Sequence, residues 1–451
     1  MDTRHIEVPT SEQIDAIAQA LGQAPAVAYS TAHVYPWAAP DFARTPRAPR
    51  ERLALRSLRL YAHVPFCNYA CTYCSYAIKV GAGRAVMERY IAALERELEW
   101  VEANTPLSQL FIGGGTPTAL PPDLLDRMLR MIFARAPSLG TEVHTVEASP
   151  ETVTAEHLAV LRDHGVGRVS MGIQSLDDSV LAGVHRRHSA DQALSACDLL
   201  ARSGLLFNID LIYGLPKQSE ASLFRDVRAV VDRGVHAVTM YDLRLNERTA
   251  VARSLAASER LDLERLVRWR IAVRRAAAEL GLIQTRWHTF RRPEGPAVRH
   301  RRAPHFEADG RGYQLGIGMS ARSHLGYSVY RNHTRLEVYA GRVERGESPV
   351  EEVFPLEEAD RKTQFVARSL GDGRPLERSA YEAAFGMPVE RDFGEFVARL
   401  RTAGLVEDDG TALRLSDLGG LVHDRIMLGF YPPKAQRWLL QRALPGAARP
   451  A

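Results

Sequence analysis

From about residue 57 onward the chain alternates between two patterns. Short runs rich in Val, Ile, Leu and Phe give way to longer segments in which apolar residues return every three or four positions. The first pattern has the length and side-chain type of buried strands, and the second has the period of amphipathic helices. Strands are predicted over 58–64, 109–113, 142–147, 168–173, 206–212 and 236–243, and helices over 87–101, 121–136, 155–164, 190–203 and 220–233. Six strands separated by crossover helices predict a parallel sheet. Right-handed crossovers curl such a sheet toward a barrel. The predicted fold class is therefore α/β, a partial (β/α)6 TIM-like barrel, with a further long helix over 263–280.

The flanks read differently. Residues 1–56 form an N-terminal extension, with one helical stretch over 11–21. A run over 29–50 follows in which Pro36, Pro40, Pro46 and Pro49 disfavour regular structure. The barrel occupies 57–290. An arginine-rich, loop-rich stretch runs over 286–311, followed by strand and turn over 312–325, so 291–350 is taken as a barrel-completing linker region. From about residue 352 the helical period returns. A hairpin over 405–415 turns at Asp409-Gly410. Residues 351–451 are accordingly a C-terminal, mainly helical, winged-helix-like domain. There is no internal repeat at a spacing of 20–50 residues.

Composition changes this picture little. With 45% apolar and 25% charged residues among 451, the chain is of the ordinary globular type. A formal net charge of +4 gives no reason to expect a nucleic acid or an anionic membrane as partner. There is no apolar leader and no run of about eighteen apolar residues, so neither a secretory signal nor a membrane span is expected. Three of the four cysteines fall within eight residues, as in a cytoplasmic protein with a metal or cluster site.

Those three carry the candidate chemistry. Cys67, Cys71 and Cys74 have the spacing C-x3-C-x2-C. Three thiolates so placed can each bind one iron of a four-iron, four-sulfur cluster and leave the fourth iron open to an external ligand. A zinc site with His63 as fourth ligand is the alternative, although zinc ligands usually come as two separated pairs. Cys197, alone in a helix, reads as a core residue. Gly113-Gly114-Gly115-Thr116-Pro117 follows a predicted strand. Consecutive glycines let backbone amides approach a ligand, but the Lys-Ser/Thr ending of a phosphate loop is missing, and a plain strand-to-helix turn gives the same pattern. Glu147 and Gln174 end two successive strands and Asp210 lies in the next, an arrangement that brings polar groups together at one end of a barrel.

The segment Tyr61-Ala-His-Val-Pro-Phe-Cys67-Asn-Tyr-Ala-Cys71-Thr-Tyr-Cys74 resembles the signature of the radical S-adenosylmethionine (SAM) superfamily. More narrowly, the chain from residue 57 onward resembles the anaerobic coproporphyrinogen III oxidase family. The resemblance implies a 4Fe–4S cluster on Cys67, Cys71 and Cys74. It also implies SAM bound to the open iron and cleaved by one electron to a 5′-deoxyadenosyl radical. It assigns SAM contacts to Gly114, Gly115, Thr116, Glu147, Gln174 and Asp210. It adds Arg186 as partner of the SAM carboxylate, with Arg187 as competitor for that role, and Tyr61 as both SAM contact and catalytic position. A second SAM is implied at Tyr73, Arg244 and the stretch 316–322 ending in Arg322. The family has small or aliphatic residues where Arg244 and Arg322 stand, so an alternative role for these two is to bind a substrate carboxylate. The implied partners are a small-molecule substrate and an electron donor such as flavodoxin or ferredoxin.

Two departures narrow the expectation. Cys74 is followed by Ser75-Tyr76 where the oxidases carry a further cysteine. Residues 303–306, Ala-Pro-His-Phe, do not match the His-Asn-x-x-Tyr-Trp motif of the haem-chaperone branch. The expectation is thus a class C radical SAM methyltransferase that uses two SAM molecules to build a C-methyl or cyclopropane group in a natural-product precursor. The alternatives are an oxygen-independent coproporphyrinogen III oxidase-type decarboxylase, a haem chaperone-like protein and a pure interaction protein.

Overall fold

A computed structural model describes residues 8–22, 57–245, 249–255, 261–294 and 312–437. The proline-rich stretch 29–50, most of the arginine-rich loop and the 303–306 segment lie outside the described residues.

The first strand, β1 (Leu58–Val64), is buried at every position except Tyr61. Such near-continuous burial is what a sheet covered on both faces requires. A two-residue pair, β2 (Phe66–Cys67) and β3 (Lys79–Val80), brackets the cysteine loop. There follow β4 (Leu107–Gly114), β5 (Thr145–Ala148), β6 (Arg168–Gln174), β7 (Leu206–Tyr213) and β8 (Ala237–Asp242). With β1 they pair in parallel in the order β1-β4-β5-β6-β7-β8. The later crossover helices, those after β5, β6 and β7, begin on side-chain caps. Thr154 accepts from the His157 amide, and Ser189 and Ser219 form reciprocal capping boxes.

The sheet is larger than the pattern predicts. Two short strands, β9 (Ile283–Arg286) and β10 (Thr289–Arg291), fall partly in the stretch read as loop. β10 pairs antiparallel to β8, with Phe290 opposite Val238, and both are fully buried. Next, β11 (Gly312–Ile317) pairs in parallel with the other side of β1. It carries the antiparallel strands β12 (Arg322–Gly326), β13 (Ser328–Asn332) and β14 (Val350–Pro355). The result is one mostly parallel, twelve-stranded sheet with β14 and β9 at its ends. In contrast, β5 starts later than predicted. Glu142 turns aside to pair with Arg59 at 2.5 Å, and the His144 ring accepts the Leu110 amide at 3.0 Å, so residues 142–144 serve side-chain bonds rather than the ladder.

A second apolar core lies under the C-terminal part. It contains Val389, Phe396, Leu413 and Ile426, together with Ile17 and Leu21 of the helix Ser11–Leu21 and Val267 and Ile271 of the helix Leu263–Glu279. A three-stranded sheet joins it: β15 (Leu376–Glu377), β16 (Val406–Asp408) and β17 (Ala412–Leu415), in the order β15-β17-β16. Its turn is fixed by the Asp409 carboxylate, which accepts from the Thr411 and Ala412 amides, and by Gly410 at φ 84. Among the described residues no helix is long and apolar enough to cross a membrane.

Candidate active site at the cysteine loop

The cysteine loop leaves β1 at the C-terminal end of the parallel sheet and is stitched on both sides. Lys79 N donates to Pro65 O at 2.7 Å, Thr72 N donates to Val184 O at 3.2 Å, and Val251 N donates to Thr72 O at 3.0 Å. Cys67, Cys71 and Cys74 are all partly exposed, whereas Cys197 is buried in the main core. Burial pushes the Cys67 thiol up to about 11, against the lowering effect of Thr116, whose Oγ1 lies 3.7 Å from its sulfur. Burial also raises the Cys74 thiol. Thiols held this way become thiolates only when a bound cation compensates, as cluster iron does.

The amides of the glycine run are bonded to the chain itself. The Gly115 amide donates to Val64 O and the Thr116 amide to Phe66 O, both at 2.8 Å, and the Gly114 amide donates to Glu147 Oε2 at 3.1 Å. These donors are spent on the chain itself. Glycine is needed for close approach: a Cβ on Gly114, at φ +118, would lie 2.6 Å from the His63 ring, and one on Gly115 would lie 2.7 Å from Phe66 O. The run thus clamps the root of the cysteine loop and holds the Glu147 carboxylate beside it.

Tyr61 and His63 lie on the same face of β1. His63 Nε2 is 3.1 Å from the Ala77 carbonyl, which can only accept, so Nε2 carries the proton and Nδ1 accepts the Tyr61 hydroxyl at 3.0 Å. Burial lowers the His63 imidazole to about 4, so it is neutral. With both nitrogens engaged, His63 is not a fourth metal ligand. The zinc reading, which needs His63 as fourth ligand, is therefore withdrawn. Tyr61 stacks on Phe111 at 6.2 Å, and its hydroxyl is held protonated by burial and by the nearby Glu147.

Arg186 is brought to the sulfur of Cys71. Its Nη1 lies 3.7 Å from Cys71 Sγ, and its Nη2 reaches Ser149 Oγ at 3.2 Å and the Gly172 carbonyl, while its Nε is buried without a partner. Arg187 is exposed and lies over the Tyr69 ring at 5.4 Å. Gln174 ends β6 at a bulge with φ 76, and a Cβ on Gly172 would lie 2.6 Å from its Nε2, so Gln174, Gly172 and Arg186 meet. A positive φ outside glycine costs on the order of 1–3 kcal/mol and clusters at functional sites.

Asp210 sits within β7, where both its oxygens are taken. Ser170 Oγ donates at 3.1 Å and Asn208 Nδ2 at 2.7 Å, and Asn208 is fixed in turn by Thr239 at 3.0 Å. Burial raises the Asp210 carboxyl. Tyr73 packs with Leu243 and Tyr241 near the end of β8. Arg244 lies there too, 3.9 Å from Asp242 and over the Tyr241 ring. Arg322 is across the sheet on β12, paired in register with Arg331 and under the influence of Glu352.

Sequence reading missed a second charged group at this end. Arg270, Asp424 and Arg425 cluster around Asp242, the last residue of β8. The available signal was an arginine on an apolar helical stripe: Leu266, Val267, Arg270, Ile271 and Arg274 follow a spacing of three and four, and all are buried.

The residues at the cysteine loop fit a 4Fe–4S cluster with SAM. Three thiols share one loop, an arginine with an unpartnered nitrogen lies beside one of them, and a carboxylate is clamped opposite. Comparison with known proteins agrees. Residues 61–230 match the family described as the Radical SAM superfamily, whose members use a 4Fe–4S cluster and SAM. The chain is 38% identical over 209 residues to the heme chaperone HemW of Mycobacterium tuberculosis, a match that covers 44% of this chain and 53% of that protein. It therefore spans about half the length of that curated relative. It is 25% identical over 416 residues to the oxygen-independent coproporphyrinogen III oxidase of Pseudomonas aeruginosa, covering 87% of this chain and 90% of that protein. The crystal structure of coproporphyrinogen III oxidase (HemN) from Escherichia coli superposes with a TM-score of 0.72 at 24% identity, over 86% of this chain and 91% of that one, and shows the shared fold.

Proposed function

We propose that this chain is a radical SAM oxidoreductase of the oxygen-independent coproporphyrinogen oxidase type, acting on a small-molecule substrate. The observation that carries the proposal is the cysteine loop with Arg186 at its side, within a chain that matches such an oxidase over 87% of its length. A 4Fe–4S cluster held there would supply one-electron reduction of SAM and, through it, radical chemistry on the substrate. The chain's own residues orient and shield. Cys67, Cys71 and Cys74 hold the cluster. Arg186, whose Nε has no partner among the described residues, would pair with the SAM carboxylate, and Gln174 and Glu147 would border the same place. Tyr61, kept protonated and tied to the neutral His63, offers a fixed polar face beside Glu147. Gly114 and Gly115 keep the loop root rigid, and Asp210 is a preset acceptor further into the sheet. In this reading the sheet curls as a partial barrel and the C-terminal part is winged-helix-like. The domain boundaries expected from the sequence stand with it, and the electron comes from a flavodoxin- or ferredoxin-type protein in the cytoplasm.

Ser75-Tyr76 after Cys74 favours a second reading. In it, Tyr73, Arg244 and the 316–322 stretch with Arg322 border a second SAM, and the product is a methylated or cyclopropanated carbon. Anaerobic reconstitution with SAM and dithionite separates the two. Release of carbon dioxide from coproporphyrinogen III together with formation of 5′-deoxyadenosine and methionine from SAM, with an electron acceptor present, supports the oxidase. Formation of 5′-deoxyadenosine with S-adenosylhomocysteine on an unsaturated substrate, without carbon dioxide, supports methyl transfer. Haem binding with no SAM cleavage would sink both in favour of a chaperone.

A further inference from the structure

We propose that the C-terminal end of β8 carries an anion site, built from Arg425 and Arg244 beside Asp242, that takes a single carboxylate group of the substrate. It rests on the enzyme reading above and adds where and by what chemistry the substrate is held.

The charges do not balance at this place. Arg270 is fully engaged: its Nη1 donates to Asp424 Oδ1 and to Leu421 O, both at 2.7 Å, its Nε reaches the Tyr213 hydroxyl at 3.3 Å, and its Nη2 lies 3.7 Å from Asp242. Arg425 is the next but one residue after His423 on the same short helix, His423–Gly429, and is 6% exposed. Its Nε and Nη1 are buried and accept no partner among the described residues. Arg244 Nε is also unpartnered and only comes within 3.9 Å of Asp242. Among the described residues, Arg270 and Arg244 thus lie beside Asp242, Arg270 bonds Asp424, and Arg425 is within the electrostatic reach of both carboxylates. The adjacent His423 adds no charge, because burial and Arg270 lower its pKa well below the usual range.

A buried guanidinium with two nitrogens left unpaired among the described residues is costly to keep, since those groups lose their hydration without a bond in return. Arg425 is not a partner of Asp424 in the way Arg270 is, so the fold does not need it for that pair. Its planar fork suits a carboxylate. The surplus of one positive charge matches a monoanion better than a dianion such as phosphate. Asp424 Oδ2 also has no donor among the described residues, which suits a ligand carrying a hydrogen-bond donor beside its negative group.

The location is right for substrate. Asp242 ends β8, and Leu243 and Tyr241 share an apolar cluster with Tyr73 of the cysteine loop. The helix Ala250–Ser254 ties the same cluster to the loop through Val251 N to Thr72 O. A group held by Arg425 thus lies at the end of the sheet where the cysteines stand, with the C-terminal part supplying the arginine. Arg244 is about a third exposed and sits at the rim.

The test uses the full chain with its cluster reconstituted anaerobically, and benzoate as probe. Its uncharged isostere benzamide and inorganic phosphate serve as controls, all by titration calorimetry. Benzoate should bind the wild type, and benzamide at least about tenfold more weakly. Arg425→Gln should weaken benzoate by about 10- to 100-fold, Arg425→Lys by less, and Arg244→Gln severalfold. If Arg425→Gln does not fold, Arg425→Lys and Arg244→Gln decide. Equal benzoate binding by wild type and variants, absence of benzoate binding by the wild type, or equal binding of benzamide overturns the site. Tighter binding of phosphate than of benzoate overturns the carboxylate assignment. Dithionite-driven cleavage of SAM by the wild type without substrate reads the enzyme proposal separately. Cleavage without a benzoate site sinks this inference alone, and a benzoate site without cleavage sinks only the radical-enzyme reading.

Discussion

Two buried charged groups of this molecule are built in opposite ways. Glu97, on the inner face of the helix Arg84–Leu98, is surrounded by donors that all reach it: Gly318 N and Asn332 Nδ2 at 2.7 Å and the Tyr339 hydroxyl at 2.5 Å. Tyr90 completes the knot, donating to His63 O at 2.6 Å and accepting from Met319 N at 3.0 Å. The network ties helix 84–98, β1 and the loop before β12 into one unit. At the other end, Arg186 by the cysteines and Arg425 by β8 keep buried nitrogens without partners. A satisfied buried charge belongs to the architecture. An unsatisfied one, at the end of the sheet where the cysteine loop lies, is left for something that binds.

The strongest challenge to this contrast is at the loop itself. Replacing Cys67, Cys71 and Cys74 together by alanine should abolish cluster absorbance at roughly 400 nm and all SAM cleavage. A variant that keeps full iron content would refute the assignment. Next in size, Asp424→Asn should cost about 3–5 kcal/mol, because it strands Arg270 in the interior. Arg425→Gln should cost much less in the absence of ligand. Equal losses in urea-melt midpoints would mean that Arg425 is as structural as Arg270.

Glu97→Gln should cost about 1–3 kcal/mol, since an amide turns a donor toward groups that already donate. The same residue gives a pH signature. Burial raises its carboxyl to about 7, outweighing the three hydrogen bonds that pull the other way. A carboxyl raised above its unfolded value of 4.5 adds stability that is complete below pH 4.5. That stability is lost as pH rises through about 7. Wild-type stability should therefore fall across that window relative to Glu97→Gln, and parallel pH profiles for the two would contradict it. Smallest of all, Ser189→Ala removes a capping box remote from both groups and should cost about 1 kcal/mol with no change in cluster content. It gives the baseline for an ordinary local bond.

Much of this was legible in the chain, and the reason is local. The parallel strands, their helices and the Asp409-Gly410 hairpin follow from periodicity, caps and turn residues, which act over a few positions. The cysteine spacing likewise sits within eight residues. The site's further shell was not legible in the same way. His63 reads as a spare ligand until the Ala77 carbonyl and the Tyr61 hydroxyl are seen to take both its nitrogens. The glycine run gives no sign in the sequence that its own and its neighbour's amides bond to Val64, Phe66 and Glu147. Residues 289–291 read as loop until Phe290 packs opposite Val238.

By itself, the sequence determined that an α/β sheet would present three thiols on one loop, because strand period and cysteine spacing are properties of contiguous residues. Only the tertiary structure decided which charges are paired. Arg270 and Asp424 are 154 positions apart, and Glu97 and Asn332 are 235 apart. Whether a buried charge finds a partner depends on what the fold carries to it from such distances, and so does the distinction between a residue that holds the protein together and one that waits for substrate.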